Sequence, residues 1–100
     1  MLDSIPSSFK LNNKTITVTF DNEYCISENL FGECDFTTRN ITLSTRLKDR
    51  KLKKSEIEKT FYHELCHAML DACGRHNLKW NEDFVESLGQ LLYEYLHTKK

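Results

Sequence analysis

The sequence lacks any stretch that approaches the ~18 consecutive apolar residues of a membrane-spanning helix. Residues 1–6 (MLDSIP) also lack the basic and apolar segments of a secretory signal. Net charge is nearly absent, because 14 Lys and Arg oppose 15 Asp and Glu, so the overall charge attracts neither nucleic acid nor anionic lipid. We therefore expect a cytoplasmic protein with no membrane partner, and a nucleic-acid partner would need a local basic patch.

The four cysteines do not have the spacing of a zinc knuckle. None of Cys25, Cys34, Cys66 and Cys73 belongs to a CxxC motif, which argues against a four-cysteine zinc site. Without a secretory signal they are expected to be reduced thiols. A chain of 100 residues suits one domain, residues 1–100, with a thin core that a metal bridging two elements would stabilise.

Alternation of polar and apolar residues predicts a small sheet in the first half of the chain. Residues 15–20 alternate in this way and are rich in β-branched side chains, which is typical of a half-buried strand. Residues 1–14, before it, are predicted to be an irregular arm. Residues 31–36 and 40–44 are predicted to form a hairpin around turn-prone residues. The expected sheet is antiparallel and has about three strands.

Two long helices are predicted after the sheet, which makes the fold class α+β. Ser55 and Glu58 have the spacing of a capping box at a helix start, and Gly74 suits a left-handed stop after the last turn. The second helix is expected to begin within residues 77–81, where either terminal asparagine can cap it, and to continue to about residue 95.

The first predicted helix carries an HExxH motif, His63-Glu64-Leu65-Cys66-His67. Since His63 and His67 are one turn apart, both imidazoles can reach a single Zn²⁺. Glu64 is offset around the helix, so its carboxylate lies beside the ion and accepts a proton from water as general base. The rest of the helix is mostly apolar, so it is buried and its polar stripe needs a partner. The competing interpretation is a pair of structural histidines at a chance spacing.

A catalytic zinc site needs a third protein ligand. Glu82 and Glu86 share a stripe of the second helix with Gly89, whose missing side chain lets the two helices approach closely. For an antiparallel helix pair, Glu86 is level with the two histidines unless the second helix begins as early as Asn77, which would favour Glu82. His76 is the remaining candidate.

With these motifs the chain resembles gluzincin-like zinc metallopeptidases, most closely the small ImmA/IrrE-type proteins of phages and mobile elements. Those proteins combine a short sheet, an HExxH helix and a second helix with Glu-x-x-Ala-Asn-x-Phe-Ala, to which residues 63–68 and 86–92 correspond. Gly89 and Gln90 replace the Ala-Asn pair. The resemblance implies a minimal zincin-like domain that cleaves a regulatory protein or peptide, with His63, His67 and Glu86 as zinc ligands and Glu64 as catalytic base.

The chain also resembles the SprT-like proteases, in which His-Glu-Leu-Cys-His-Ala occurs as well and the third ligand is a histidine in a His-Gly-x-x-Trp-like segment. Residues 76–80 (HNLKW) are similar to that segment, but His76 follows His67 so closely that the chain has little room to fold back. This resemblance implies a DNA-associated protease that uses the basic run of residues 46–54, which is otherwise a solvated linker. A third hypothesis is a non-catalytic, zinc-stapled interaction module, in which Glu64 would have no use.

Overall fold

The computed structural model describes residues 4–100. Its elements in chain order are β1 (Ser8–Leu11), β2 (Lys14–Phe20), α1 (Asn22–Ser27), β3 (Gly32–Asp35), β4 (Asn40–Leu43), α2 (Lys54–Ala72), α3 (His76–Lys79) and α4 (Glu82–Thr98). The α+β class is confirmed, because a sheet is followed by two long helices, α2 and α4, that pack together. None of the helices in this part of the chain is long and apolar enough to cross a membrane.

The sheet has four strands in the order β1-β2-β4-β3 and is mixed. The prediction of a three-stranded antiparallel sheet is therefore wrong in two respects. First, β1 lies within the predicted irregular arm, of which residues 1–3 are outside the described residues. It pairs with β2 through a turn in which Asn12 and Asn13 have φ of 52° and 64°, the backbone that a type I′ hairpin requires.

Second, β2 and β4 are parallel neighbours. The segment that contains α1 and β3 returns the chain before β4 begins, so the two strands run in the same direction. β3 and β4 form the predicted antiparallel hairpin, which is confirmed, and β3 lies at the edge of the sheet. One face of the sheet packs on α2 through a buried cluster: Ile16, Val18, Ile41, Leu43, Phe61 and Tyr62.

The start of α2 differs from the predicted capping box. The backbone N–H of Lys53 donates to the Glu56 carboxylate at 2.7 Å, and the helix begins at Lys54. Glu56 rather than Glu58 closes the cap because Arg50 also pairs with Glu56, at 3.0 Å. Glu58 is buried and accepts hydrogen bonds from distant parts of the chain instead.

Both ends of the connection between α2 and α4 follow the prediction. Gly74 has φ of 75° and ends α2 in the left-handed conformation that glycine adopts without steric cost. Asn81 caps α4 by accepting from the backbone N–H of Phe84 at 3.0 Å. Between them lies α3, a single turn that the sequence did not indicate.

Gly89 is the point of closest approach between the two long helices. A Cβ atom at this position would lie 3.2 Å from Cα and 3.3 Å from N of His63. The predicted role of Gly89 is therefore confirmed. Because α4 lies directly on the backbone of the HExxH motif, the carboxylates in its first two turns face the histidines of α2.

Candidate metal centre

Two histidines of α2 and one glutamate of α4 form a compact cluster. Nε2 of His63 lies 3.1 Å from Oε1 of Glu82, and Nε2 of His67 lies 3.4 Å from Oε2 of Glu82. One ligand atom from each of the three residues lies within 4.8 Å of the others. Ligands held at 2.0–2.2 Å around a tetrahedral zinc are about 3.4 Å apart, so two imidazoles and one carboxylate at these distances fit the ion.

The other nitrogen of each imidazole already has a partner. Nδ1 of His67 lies 2.6 Å from the backbone oxygen of Lys79. Because a carbonyl can only accept, Nδ1 carries the proton and the lone pair is on Nε2, which faces the cluster. Nδ1 of His63 likewise lies 2.9 Å from Oε1 of Glu86. In both rings, therefore, Nδ1 contacts an oxygen acceptor and Nε2 faces the carboxylate of Glu82, an arrangement typical of histidines that bind a metal through Nε2.

Glu86 thus contacts the Nδ1 edge of the His63 ring, whereas the cluster lies at the Nε2 edge. The two nitrogens of an imidazole direct their bonding away from each other, so a carboxylate bound to Nδ1 is not placed to share an ion with Nε2. This geometry favours Glu82 over the predicted ligand Glu86. Because α4 begins at Glu82, the helix levels select Glu86, but the long side chain of Glu82 reaches both rings from the first turn of α4. His76 lies outside the cluster, with Nδ1 3.7 Å from Oδ1 of Asp71.

Glu64 lies beside the cluster and is only 8% exposed. Burial raises the pKa of its carboxyl to about 7, with a smaller upward effect from the Glu82 and Glu33 charges and an opposing effect from His63. Its side chain lines the same cleft as His63 and His67. A carboxylate that adjoins a metal site without entering the ligand set suits proton transfer.

The cleft in front of the cluster lies along the sheet edge. It has a volume of about 460 Å³, and a second hollow of about 410 Å³ extends it past His63 and Glu64 toward Lys59. Gly32 borders both. A Cβ atom there would lie 2.7 Å from Cγ2 of Thr60 and 3.0 Å from the Thr42 oxygen, so glycine allows β3 to lie close against α2.

Sequence reasoning missed Lys79, the residue whose carbonyl orients His67. Its side chain is 10% exposed, and Nζ forms an ion pair with Asp71 and lies 4.1 Å from the ring centroid of Phe36. The signal in the sequence was weak, because a backbone acceptor has no residue preference. The sequence indicated only that the polar stripe of α2, on which Asp71 lies, needs a partner.

The family comparison supports one of the two resemblances. The SprT-like family matches residues 5–95, whereas the ImmA/IrrE-type resemblance finds no support. Neither the curated proteins nor the solved structures give a significant match. Glu82 stands in the cluster where the SprT-like resemblance implied a histidine. The chain belongs to the SprT-like family, and its His63, His67 and Glu82 cluster fits the HExxH-plus-glutamate zinc site of a metalloprotease.

Proposed function

We propose that this protein is a zinc-dependent peptide hydrolase in which His63, His67 and Glu82 hold the ion and Glu64 acts as general base. The observation that carries the proposal is the geometry of the two imidazoles. Each has Nδ1 bound to an acceptor and Nε2 next to the carboxylate of Glu82. A zinc ion held there would polarise a peptide carbonyl and lower the pKa of water to about 7.

Each remaining residue has a distinct part in this reaction. Glu64 takes the proton from the attacking water and delivers it to the nitrogen of the leaving amine. Glu86 and the Lys79 carbonyl hold the two imidazole rings in orientation. The buried position of Glu64 limits competition from bulk water for its carboxylate.

The edge of the sheet supports a peptide as substrate. β3 pairs with β4 on one side only, and its residues Gly32, Glu33 and Cys34 line the cleft beside the cluster. An extended peptide can therefore add to this edge through backbone hydrogen bonds, which places its carbonyl groups along the cleft. A regulatory protein as the natural substrate stays a prediction.

The replacement of Glu64 by glutamine tests the proposal. The zinc-loaded parent is expected to cleave members of a quenched-fluorescence peptide library, and Glu64→Gln should lower the rate about 10²–10⁴-fold while its zinc content and circular dichroism stay unchanged. Glu94→Gln is the matched control, because Glu94 is exposed on α4 and should leave the rate unchanged. Loss of zinc from Glu64→Gln would contradict the assignment, and a parent that cleaves nothing would favour the non-catalytic, zinc-stapled module.

A second candidate is a DNA-associated protease, which the SprT-like resemblance implied. The observation that favours it is the basic segment of residues 46–54, where Lys48, Lys51, Lys53 and Lys54 are exposed while Arg50 is paired with Glu56. This candidate predicts faster peptide cleavage in the presence of single-stranded DNA, with a stimulation that falls steeply as salt rises from 50 to 200 mM. Cleavage that is indifferent to DNA at both salt concentrations would eliminate it.

A further inference from the structure

The only tryptophan of the chain is exposed beside the candidate metal centre. Trp80 is 65% exposed, and its ring stands at 90° to Phe36 with the centroids 5.4 Å apart. The Phe36 ring in turn meets His67 edge-on, with the centroids 6.4 Å apart. The two aromatic rings therefore form a continuous wall that leads from the histidine cluster out to solvent.

This wall is held in place from behind. Nζ of Lys79 lies 4.1 Å from the Phe36 centroid and 5.4 Å from the Trp80 centroid, a geometry in which a cation is attracted to the face of each ring. The Lys79 ammonium is itself paired with Asp71. The fold gains little from a ring that stays mostly in water, and rigid, exposed aromatic residues beside a cleft are typical of binding surfaces.

We propose that Phe36 and Trp80 form a specificity site that accepts a large apolar side chain of the substrate next to the scissile bond. This inference rests on the proposed peptide hydrolase function. Phe36 directly follows β3, so a peptide that pairs with the β3 edge and advances about 3.3 Å per residue passes the wall within one or two residues of the cluster. Leu30 lines the same cleft and adds apolar surface for the same side chain.

The charges in the cleft favour a peptide side chain over a nucleobase as the occupant. Among the described residues that line this cleft are three glutamates, Glu33, Glu64 and Glu82, and no lysine or arginine. Lys79, which lies behind the wall, is already paired with Asp71. The lining therefore offers no lysine or arginine to pair with a phosphate backbone, whereas an apolar side chain needs no such partner.

The first experiment measures cleavage of matched peptides that carry Phe, Leu or Ala at each position in turn, with the cut bond identified by mass spectrometry. The zinc-loaded parent should show kcat/KM about 10–100-fold higher for Phe or Leu than for Ala at one position adjacent to the cut. Trp80→Ala should lower that ratio about tenfold, and Trp80→Phe should restore most of it. Leu91→Ala, which changes an equally exposed apolar side chain of α4 at 63%, should leave the ratio unchanged.

The second experiment uses the single tryptophan as a probe without turnover. In zinc-loaded Glu64→Gln, the emission of Trp80 should shift to the blue on addition of a Phe-containing peptide and not of its Ala counterpart. Three results would each overturn the proposal. The preference for Phe or Leu could survive in Trp80→Ala, kcat/KM could fall equally for all peptides in that variant, or single-stranded DNA could change the Trp80 emission in place of peptide. A parent that cleaves peptides without preference refutes the specificity site alone, whereas a parent that cleaves none refutes the hydrolase function and the inference with it.

Discussion

The replacement of Glu82 or Glu86 by alanine separates the two candidates for the third zinc ligand. Both side chains are largely exposed, at 67% and 59%, so neither replacement removes buried apolar contacts. The zinc-free variants should therefore stay folded, with changes in unfolding free energy within about 0.5 kcal/mol at such surface positions. Differences in zinc affinity then report on the ion itself.

The expected magnitudes follow from which nitrogen each carboxylate meets. Of the imidazole nitrogens of His63 and His67, Glu86 contacts Nδ1 of His63 alone, so its loss removes a partner that orients a ligand, which typically lowers metal affinity about 10–100-fold. Glu82 lies next to Nε2 of both histidines, so its loss leaves two imidazoles alone and should exceed that range. A loss beyond about 100-fold corresponds to more than about 2.7 kcal/mol of binding free energy.

The assay is competition for zinc with a chromophoric chelator at fixed pH and salt. Asp83→Ala is the control, because it removes the same charge one position away on an exposed side chain and should change the affinity only slightly. We expect the affinities to fall in the order parent, Asp83→Ala, Glu86→Ala, Glu82→Ala. If Glu86→Ala binds zinc most weakly, or if Glu82→Ala matches Asp83→Ala, the assignment of Glu82 is wrong.

Two further predictions concern the packing that positions the site. A glycine-to-alanine replacement usually stabilises a helix by about 1 kcal/mol, but in Gly89→Ala the new Cβ meets backbone atoms of His63 at 3.2 and 3.3 Å. We therefore expect the free energy of unfolding in urea to fall by about 1–3 kcal/mol and zinc binding to weaken. A gain in stability would contradict this contact. Burial raises the pKa of Glu58, but hydrogen bonds from Ser4 and His97 outweigh it and hold that pKa below its ordinary value of 4.5. Because the folded pKa is depressed, the stability that Glu58 contributes is present above pH 4.5 and is lost as the pH falls through the folded pKa. Glu58→Gln should therefore cost about 1–3 kcal/mol at pH 7 and show a smaller decrease in stability between pH 6 and pH 3 than the parent; equal decreases would show that Glu58 is not the group responsible.

Features with local causes were predicted correctly from the residues alone. The HExxH spacing places two imidazoles on one helix face because residues four apart lie one turn apart. The left-handed stop at Gly74 and the cap at Asn81 depend on hydrogen bonds within a few residues. The type I′ turn at Asn12 and Asn13 was missed although its signal is local, since residues 1–14 were interpreted as irregular.

The sheet order could not be read from the residues in the same way. No local sequence signal near β2 or β4 indicates that the two strands are parallel neighbours. Their pairing depends on where the intervening α1 and β3 return the chain. The start of α2 also differs from the predicted one, with Lys53 in place of Ser55 at the cap. Arg50 stabilises Glu56 rather than Glu58 as the capping carboxylate. That ion pair depends on the path of the loop before the helix.

The chain's residues by themselves indicated the chemistry that we propose for this protein, because two histidines and a glutamate have the spacing found in zinc-dependent hydrolases. Only the tertiary structure decided which carboxylate of α4 meets Nε2 and which meets Nδ1, since this depends on imidazole rotamers and on the approach of α4 at Gly89. It also decided that Phe36 and Trp80 form one wall. Such contacts join residues far apart in sequence, and their energy depends on packing geometry rather than on local spacing.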